Sequence, residues 1–301
     1  MKRILFFCIL ATIFALGTFL PLATAHPLVS VIRDGIRFSE SVYPYDGGLF
    51  ISNFGSETMS PLHDENAGYI LYRKDGITKT IIPANGSLHK PTAMAVKDGH
   101  LFICDETRLV VHRLDGMAEP PQIVTFPAED QVVNALALDG DTLYISLTNP
   151  GSIYSLDVSH PANVGSIKPQ KWLDIHGANG MAVGDGVMYI ATIPTDYSTI
   201  SVDDVIYCVR DMKHLKAEKF CGEPGLYDGV ALSDDNKTLY ISEWKTGTVT
   251  AVDVQTKRTH ILYEEQGIGP ADIAQAGGIL FIPDLPNSRV IEINVEDIQN
   301  R

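Results

Sequence analysis

ALALDGDTLYIS, residues 135–146, sets an Asp-Gly step between two apolar runs. Asp-Gly flanked by apolar residues is a strong short-range hairpin signal, because the tight turn needs residues that tolerate positive φ. The same sentence recurs as SVYPYDGGLFIS (41–52), AMAVKDGHLFIC (93–104), GMAVGDGVMYIA (180–191), GVALSDDNKTLYIS (229–242) and DIAQAGGILFIP (272–283). Each second run carries an aromatic: Phe50, Phe102, Tyr144, Tyr189, Tyr240 and Phe281, separated by 52, 42, 45, 51 and 41 residues. A third strand follows each hairpin, as in YILYR, LVVHRL, SIYSLDV, VIYCVR, TVTAVDV and RVIEINV, and often a fourth, as in TKTIIP, QIVTFP and THILY. Four strands per unit, six times over, predict an all-β, six-bladed propeller of antiparallel blades. The last unit has three strands, and LVSVIR near the N-terminus is left unassigned. It is expected to pair in the last blade and close the ring, which removes an open edge.

The composition agrees. The chain has 301 residues, 45% of them hydrophobic, and a formal charge of −14. So acidic a chain is unsuited to nucleic acid or an anionic membrane. Lys2 and Arg3 precede an apolar run ending in Ala23-Thr24-Ala25, the pattern of a secretory signal peptide. The expected domains are a signal over 1–25 and one propeller over 26–301, secreted or periplasmic, monomeric, and with no membrane span after cleavage. Export permits a disulfide, and Cys208 and Cys221 are candidates to bridge adjacent strands. Cys104 lies in an apolar strand and reads as a buried thiol.

In a propeller the innermost strands line the central channel, and their first residues gather around the axis. Counting back 10, 10, 10, 10, 12 and 9 residues from the aromatics reaches Glu40, Thr92, Asn134, Asn179, Asp228 and Asp272. Oxygen donors dominate this position. Such a set suits Ca²⁺, which takes six to eight oxygens and accepts neutral amides. Other divalent cations remain possible. Zinc is disfavoured, since no His or Cys falls in the register. The expected metal ligands are Glu40, Asn134, Asn179 and Asp228, with Thr92 and Asp272 as further channel residues. Two long loops, 55–67 and 193–204, should rim the same mouth and bring His63 and Tyr197 to it. His89 and His176 approach the same face, where either could relay a proton.

The segments FSESVYPYDGGLFIS, VVNALALDGDTLYIS, GANGMAVGDGVMYIA and LYDGVALSDDNKTLYIS resemble the SMP-30/gluconolactonase/LRE-like six-bladed propellers, and the resemblance spans nearly all of 26–301. It implies that Glu40, Asn134, Asn179 and Asp228 hold a catalytic divalent cation, with Asp228 as general base or nucleophile. The chain departs from the better-known members at VVNAL and at ESV. It has no Arg near Thr92, where Lys90 is the nearest cation. Three functions fit. The leading one is a Ca²⁺-dependent hydrolase of a small-molecule lactone or related ester, with phosphotriesters as a variant. The others are a non-catalytic binding propeller with a structural calcium, and a metal-assisted lyase.

Overall fold

The computed structural model describes residues 29–59, 66–127, 132–149 and 151–295. The expected signal over 1–25 and His63 lie outside them. Six four-stranded antiparallel sheets follow one another along the chain. Blade one is Val42–Tyr45, Gly48–Asn53, Tyr69–Lys74 and Ile77–Ile82. Blade two is Pro91–Lys97, His100–Asp105, Arg108–Arg113 and Gln122–Thr125. Blade three is Val133–Asp139, Thr142–Leu147, Ser152–Asp157 and Gln170–Asp174. Blade four is Ala178–Gly184, Val187–Thr192, Ile206–Val209 and Ala217–Cys221. Blade five is Tyr227–Leu232, Thr238–Glu243, Thr248–Asp253 and Thr259–Glu264. Blade six is Ala274–Ala276, Ile279–Asp284 and Arg289–Asn294, completed by Val29–Ile32 as its outermost strand. Val29 opposes Ile293 and Ile32 opposes Val290, so the ring closes as the unassigned LVSVIR segment implied.

The middle of each blade's second strand is apolar because both of its faces are buried. Its aromatic faces the next blade and its aliphatic neighbours face the previous one. Tyr240 packs toward blade six, whereas Leu239 and Ile241 pack toward blade four. Phe281 packs toward blade one, whereas Leu280 and Ile282 pack toward blade five. Each interface between neighbouring blades therefore receives a second-strand aromatic from one side and second-strand aliphatic side chains from the other. Burying a side chain of this kind is worth roughly 1.5–3 kcal/mol, so the six interfaces hold the ring together.

The expected Cys208–Cys221 bridge is not formed; both are free thiols. The reason is register. Cys221 opposes Ile206 and Cys208 opposes Glu218, with an irregularity between the pairs, so the two cysteines are offset along adjacent strands. Burial pushes the Cys221 thiol up to about 11. Cys104 is fully buried in blade two.

Candidate functional site: a ring of unpartnered oxygens

The first residues of the innermost strands are aimed by backbone irregularity. In blades two to five the pairing of the first two strands slips once near its start. The slip falls between Pro91 and Met94, Val133 and Leu136, Ala178 and Met181, and Tyr227 and Val230. These intervals contain Thr92, Asn134, Asn179 and Asp228. A bulge leaves a residue out of the ladder and redirects its side chain, which is why bulges collect beside functional sites. Hydroxyls on the second strands take up backbone N–H groups at the ring position. Ser52 Oγ accepts from Ser41 N at 2.9 Å, Ser146 Oγ from Ala135 N at 2.9 Å, and Ser242 Oγ from Gly229 N at 2.7 Å. The three donors directly follow Glu40, Asn134 and Asp228.

Two glycines let neighbouring innermost strands approach. A Cβ on Gly180 would lie 2.4 Å from the Asp228 carbonyl oxygen, and one on Gly229 would lie 2.5 Å from Ile273 N. Asn179-Gly180 and Asp228-Gly229 thus pair a polar side chain with the close contact that draws the ring inward.

The four predicted ligands are nearly enclosed: Asn179 is 2% exposed, Glu40 6%, Asn134 7% and Asp228 9%. Each presents a buried oxygen with no hydrogen-bond partner: Glu40 Oε2, Asn134 Oδ1, Asn179 Oδ1 and Asp228 Oδ1. Buried polar atoms are nearly always satisfied, so four orphans at one repeated position need a cause. Burial holds Glu40 well above the usual carboxylate range, and the charges of Asp228 and Asp272 push it further. Burial and then Asp272 raise Asp228 to about 8. Burial raises Asp272 to about 7, against an opposing hydrogen bond from Ser41. Among the described residues no three His, Cys, Asp or Glu side chains form a metal-holding group by themselves. The acceptor set is two carboxylates and two neutral amides, a mixture suited to a hard cation such as Ca²⁺ and unsuited to zinc.

The other predicted residues divide. Asp272 joins the ring: its N–H donates to the Glu40 carbonyl at 3.0 Å, and its Oδ2 accepts from Ser41 Oγ at 3.1 Å. Thr92 sits at the ring, but its hydroxyl donates to the Val133 and Asn134 carbonyls at 3.2 and 2.8 Å. That hydroxyl braces the Asn134 backbone. Tyr197 reaches the site. Burial and the charges of Asp228 and Glu40 push its phenol up to about 12, so it stays protonated as a donor. His89 is engaged elsewhere, with Nδ1 3.0 Å from Glu106 Oε2. His176 Nε2 lies 3.8 Å from Asp204 Oδ1, a buried carboxylate oxygen without a hydrogen-bond partner.

Sequence reasoning missed the buried acceptors that fix the segments entering the ring. They stand three residues after the aromatic in four blades. Asn53 accepts from Arg37 N at 2.9 Å, and Asp105 from His89 N and Lys90 N at 2.8 Å. Glu243 accepts from Leu226 N at 2.9 Å, and Asp284 from Gly269 N at 3.2 Å. The signal was available in FISN, FICD, YISE and FIPD, where a polar residue closes an apolar strand.

Comparison with known proteins adds to this geometry. No protein-family model matches the sequence, and no curated protein does. Solved structures share the fold. A gluconolactonase from Xanthomonas campestris superposes with a TM-score of 0.66 at 17% identity, over 89% of each chain. Virginiamycin B lyase from Staphylococcus aureus superposes with a TM-score of 0.60 at 13% identity, over 89% of this chain and 99% of the lyase. A propeller in a nidogen/laminin complex gives 0.61 at 14% identity, over 78% of this chain and 88% of that one. The neighbours thus include a hydrolase-type enzyme, a lyase and a protein in a binding complex. At such identities they establish the six-bladed fold that they share with this chain.

Proposed function

We propose that the protein is a divalent-cation-dependent hydrolase of a small-molecule lactone or related ester, with Ca²⁺ as the fitting ion. The observation that carries this reading is the ring of four orphaned oxygens on Glu40, Asn134, Asn179 and Asp228. The buried Glu40 and Asp228 and the half-buried Asp272 also repel one another, a crowding that is costly unless the acids are protonated or paired with a positive charge. The gluconolactonase likeness in fold supports the reaction class.

Glu40, Asn134, Asn179 and Asp228 would hold the cation, which supplies a Lewis acid able to polarise a carbonyl oxygen. The chain's own groups supply the remainder. The Asp228 carboxylate is the general base or nucleophile. The Tyr197 phenol donates a hydrogen bond at the mouth. His176, beside Asp204, carries the leaving-group proton; the contact of His89 Nδ1 with Glu106 makes it the weaker candidate.

The test is metal content and turnover on one preparation. One equivalent of Ca²⁺ is expected, with hydrolysis within a panel of lactones, aryl esters and phosphotriesters. EDTA should abolish turnover and Ca²⁺ restore it, while Asp228→Asn should lower it by about 100-fold or more. A folded protein that takes up no divalent ion overturns the ring assignment. Stoichiometric ion without turnover on any substrate overturns the hydrolase and favours a binding propeller.

A further inference from the structure

Seven apolar clusters are found among the described residues, and six of them fill the six blade interfaces. The seventh does not. It joins Phe38, Phe54, Trp244, Ala271 and Leu285, drawn from blades five, six and one and the segment entering blade one. Its members lie at the ring end of the blades. Phe38 stands two residues before Glu40, and Ala271 immediately precedes Asp272. The Trp244 N–H donates to the Leu226 carbonyl at 2.9 Å, two residues before Asp228. The Phe54 N–H donates to the Phe38 carbonyl at 3.0 Å.

Two features separate this cluster from ordinary core. Phe38 and Trp244 are only half-buried although both are large aromatics. Phe38 also has φ of 54°, in the left-handed region where a bulky side chain is an outlier. Strain of this kind costs about 1–3 kcal/mol and persists where the surroundings impose it. Here the Phe38 N–H is held by Ser288 Oγ at 3.0 Å. A turn needing only that backbone would take glycine; the aromatic ring is kept at an energetic cost beside the oxygen ring. The charged neighbour is Lys90, whose Nζ lies 5.0 Å from the Phe54 ring centroid.

We propose that this cluster is a shelf for the apolar part of the substrate, so that the site takes alkyl- or aryl-substituted lactones and esters in preference to sugar lactones. This rests on the hydrolase reading and extends it to substrate class. Sugar lactones present several hydroxyls that need polar partners. Phe38, Phe54, Ala271 and Leu285 offer no side-chain hydrogen bond, and Trp244 offers a single indole N–H. An alkyl chain lying on the half-buried Phe38 and Trp244, which the buried Phe54, Ala271 and Leu285 support from behind, loses water-exposed surface without leaving a polar group unpaired.

The chain has two tryptophans. Trp172 packs on Tyr144 in blade three, so Trp172→Phe leaves Trp244 as the sole reporter. Ca²⁺-loaded Trp172→Phe protein is titrated with 2-pentylcyclopentanone, which has no hydrolysable bond, and with cyclopentanone. The expected result is a saturable change in Trp244 fluorescence, with the unsubstituted ketone binding at least about tenfold more weakly. In parallel, kcat/KM for γ-nonalactone should exceed that for γ-butyrolactone and for glucono-δ-lactone by about tenfold or more. That preference should collapse toward unity in Trp244→Leu and in Phe38→Gly, the latter compatible with the observed φ. A flat fluorescence titration, or turnover that favours glucono-δ-lactone without gain from the alkyl chain, overturns the shelf while leaving the hydrolase intact. Chain-dependent ketone binding by a protein that hydrolyses nothing supports the shelf and overturns the hydrolase reading.

Discussion

Buried acids at the ring end of the blades fall into two groups that differ in one respect. At the ends of the second strands, Asp105 and Asp284 are fully buried and fully engaged. Asp105 accepts two backbone N–H groups and pairs with Arg108 at 2.8 Å. Asp284 accepts from Gly269 N and pairs with Arg289 at 2.6 Å. At the starts of the innermost strands, Glu40 and Asp228 are nearly as enclosed, yet each has an oxygen with no donor. Their neighbours are carboxylates and amide oxygens. The first group is finished by the fold, and the second has acceptors that no donor among the described residues satisfies. Burial of an acid therefore says little about its role; what separates anchor from site is where its hydrogen bonds go.

The sharpest way to break this contrast is to exchange losses between the groups. Asp284→Ala leaves the Arg289 guanidinium, whose side chain is 11% exposed, with Glu265 alone at 2.7 Å and takes the acceptor from Gly269 N and Asn287, so it should cost about 2–4 kcal/mol in urea unfolding. Asp228→Asn in cation-free protein should do the opposite. It removes an unpaired buried charge, so stability at pH 9 should rise by about 1–3 kcal/mol while Ca²⁺ affinity collapses. If both substitutions destabilise equally, the distinction fails.

Acidity gives the second test, and its sign follows from the raised values. Asp228 and Asp272 titrate near 8 and 7 in the fold, far above the ordinary 3.8. The native state therefore holds protons that the unfolded chain has released. Their stabilising contribution is full below pH 4 and is lost as pH rises through 7 to 8. Cation-free protein should show a falling melting temperature across that interval. Saturating Ca²⁺ should flatten the fall, because the ion takes the place of the protons. A melting temperature indifferent to pH between 6 and 9 would count against coupling among the ring acids.

Smaller effects should separate positioning from ligation. Thr92→Val removes the donor to the Val133 and Asn134 carbonyls and should cost about 1 kcal/mol. It should weaken Ca²⁺ only several-fold in calorimetry, far less than a change at Asn134 itself. On the acid side, His112 in blade two is buried with neither ring nitrogen partnered, and burial lowers its value below the ordinary 6.5. The native state resists its protonation, so stability present above pH 6.5 is lost as pH falls through the folded value. His112→Phe should remove that slope, an effect of at most about 1 kcal/mol, read by melting curves between pH 5 and 7.

The repeat itself was fully legible. Local turn chemistry and apolar runs recur six times, and each blade must bury the same two faces, so the six hairpins, the closing strand and the core aromatics followed from residues 29–295 alone. The ring position was legible for the same reason, since equal offsets from equivalent aromatics mark equivalent places on equivalent strands. What one register count could not separate was an orphaned oxygen from a brace: Thr92 and Asn134 share the offset, yet the Thr92 hydroxyl donates to the next blade's carbonyls while Asn134 Oδ1 has no partner. Nor could it place His89 and His176, whose partners Glu106 and Asp204 lie 17 and 28 residues further on in the sequence.

Sequence alone determined the number of blades, the closure and which oxygens gather at the axis, because these depend on short-range pattern repeated in phase. Tertiary structure decided which of those oxygens stay unsatisfied. It also decided that Cys208 and Cys221 stand offset across their strands, and that Phe38 and Trp244 pack against one cluster beside the ring although they lie 206 positions apart. Those outcomes depend on side chains from three or more blades arriving together, and nothing in a single repeat encodes what its neighbours will leave unpaired.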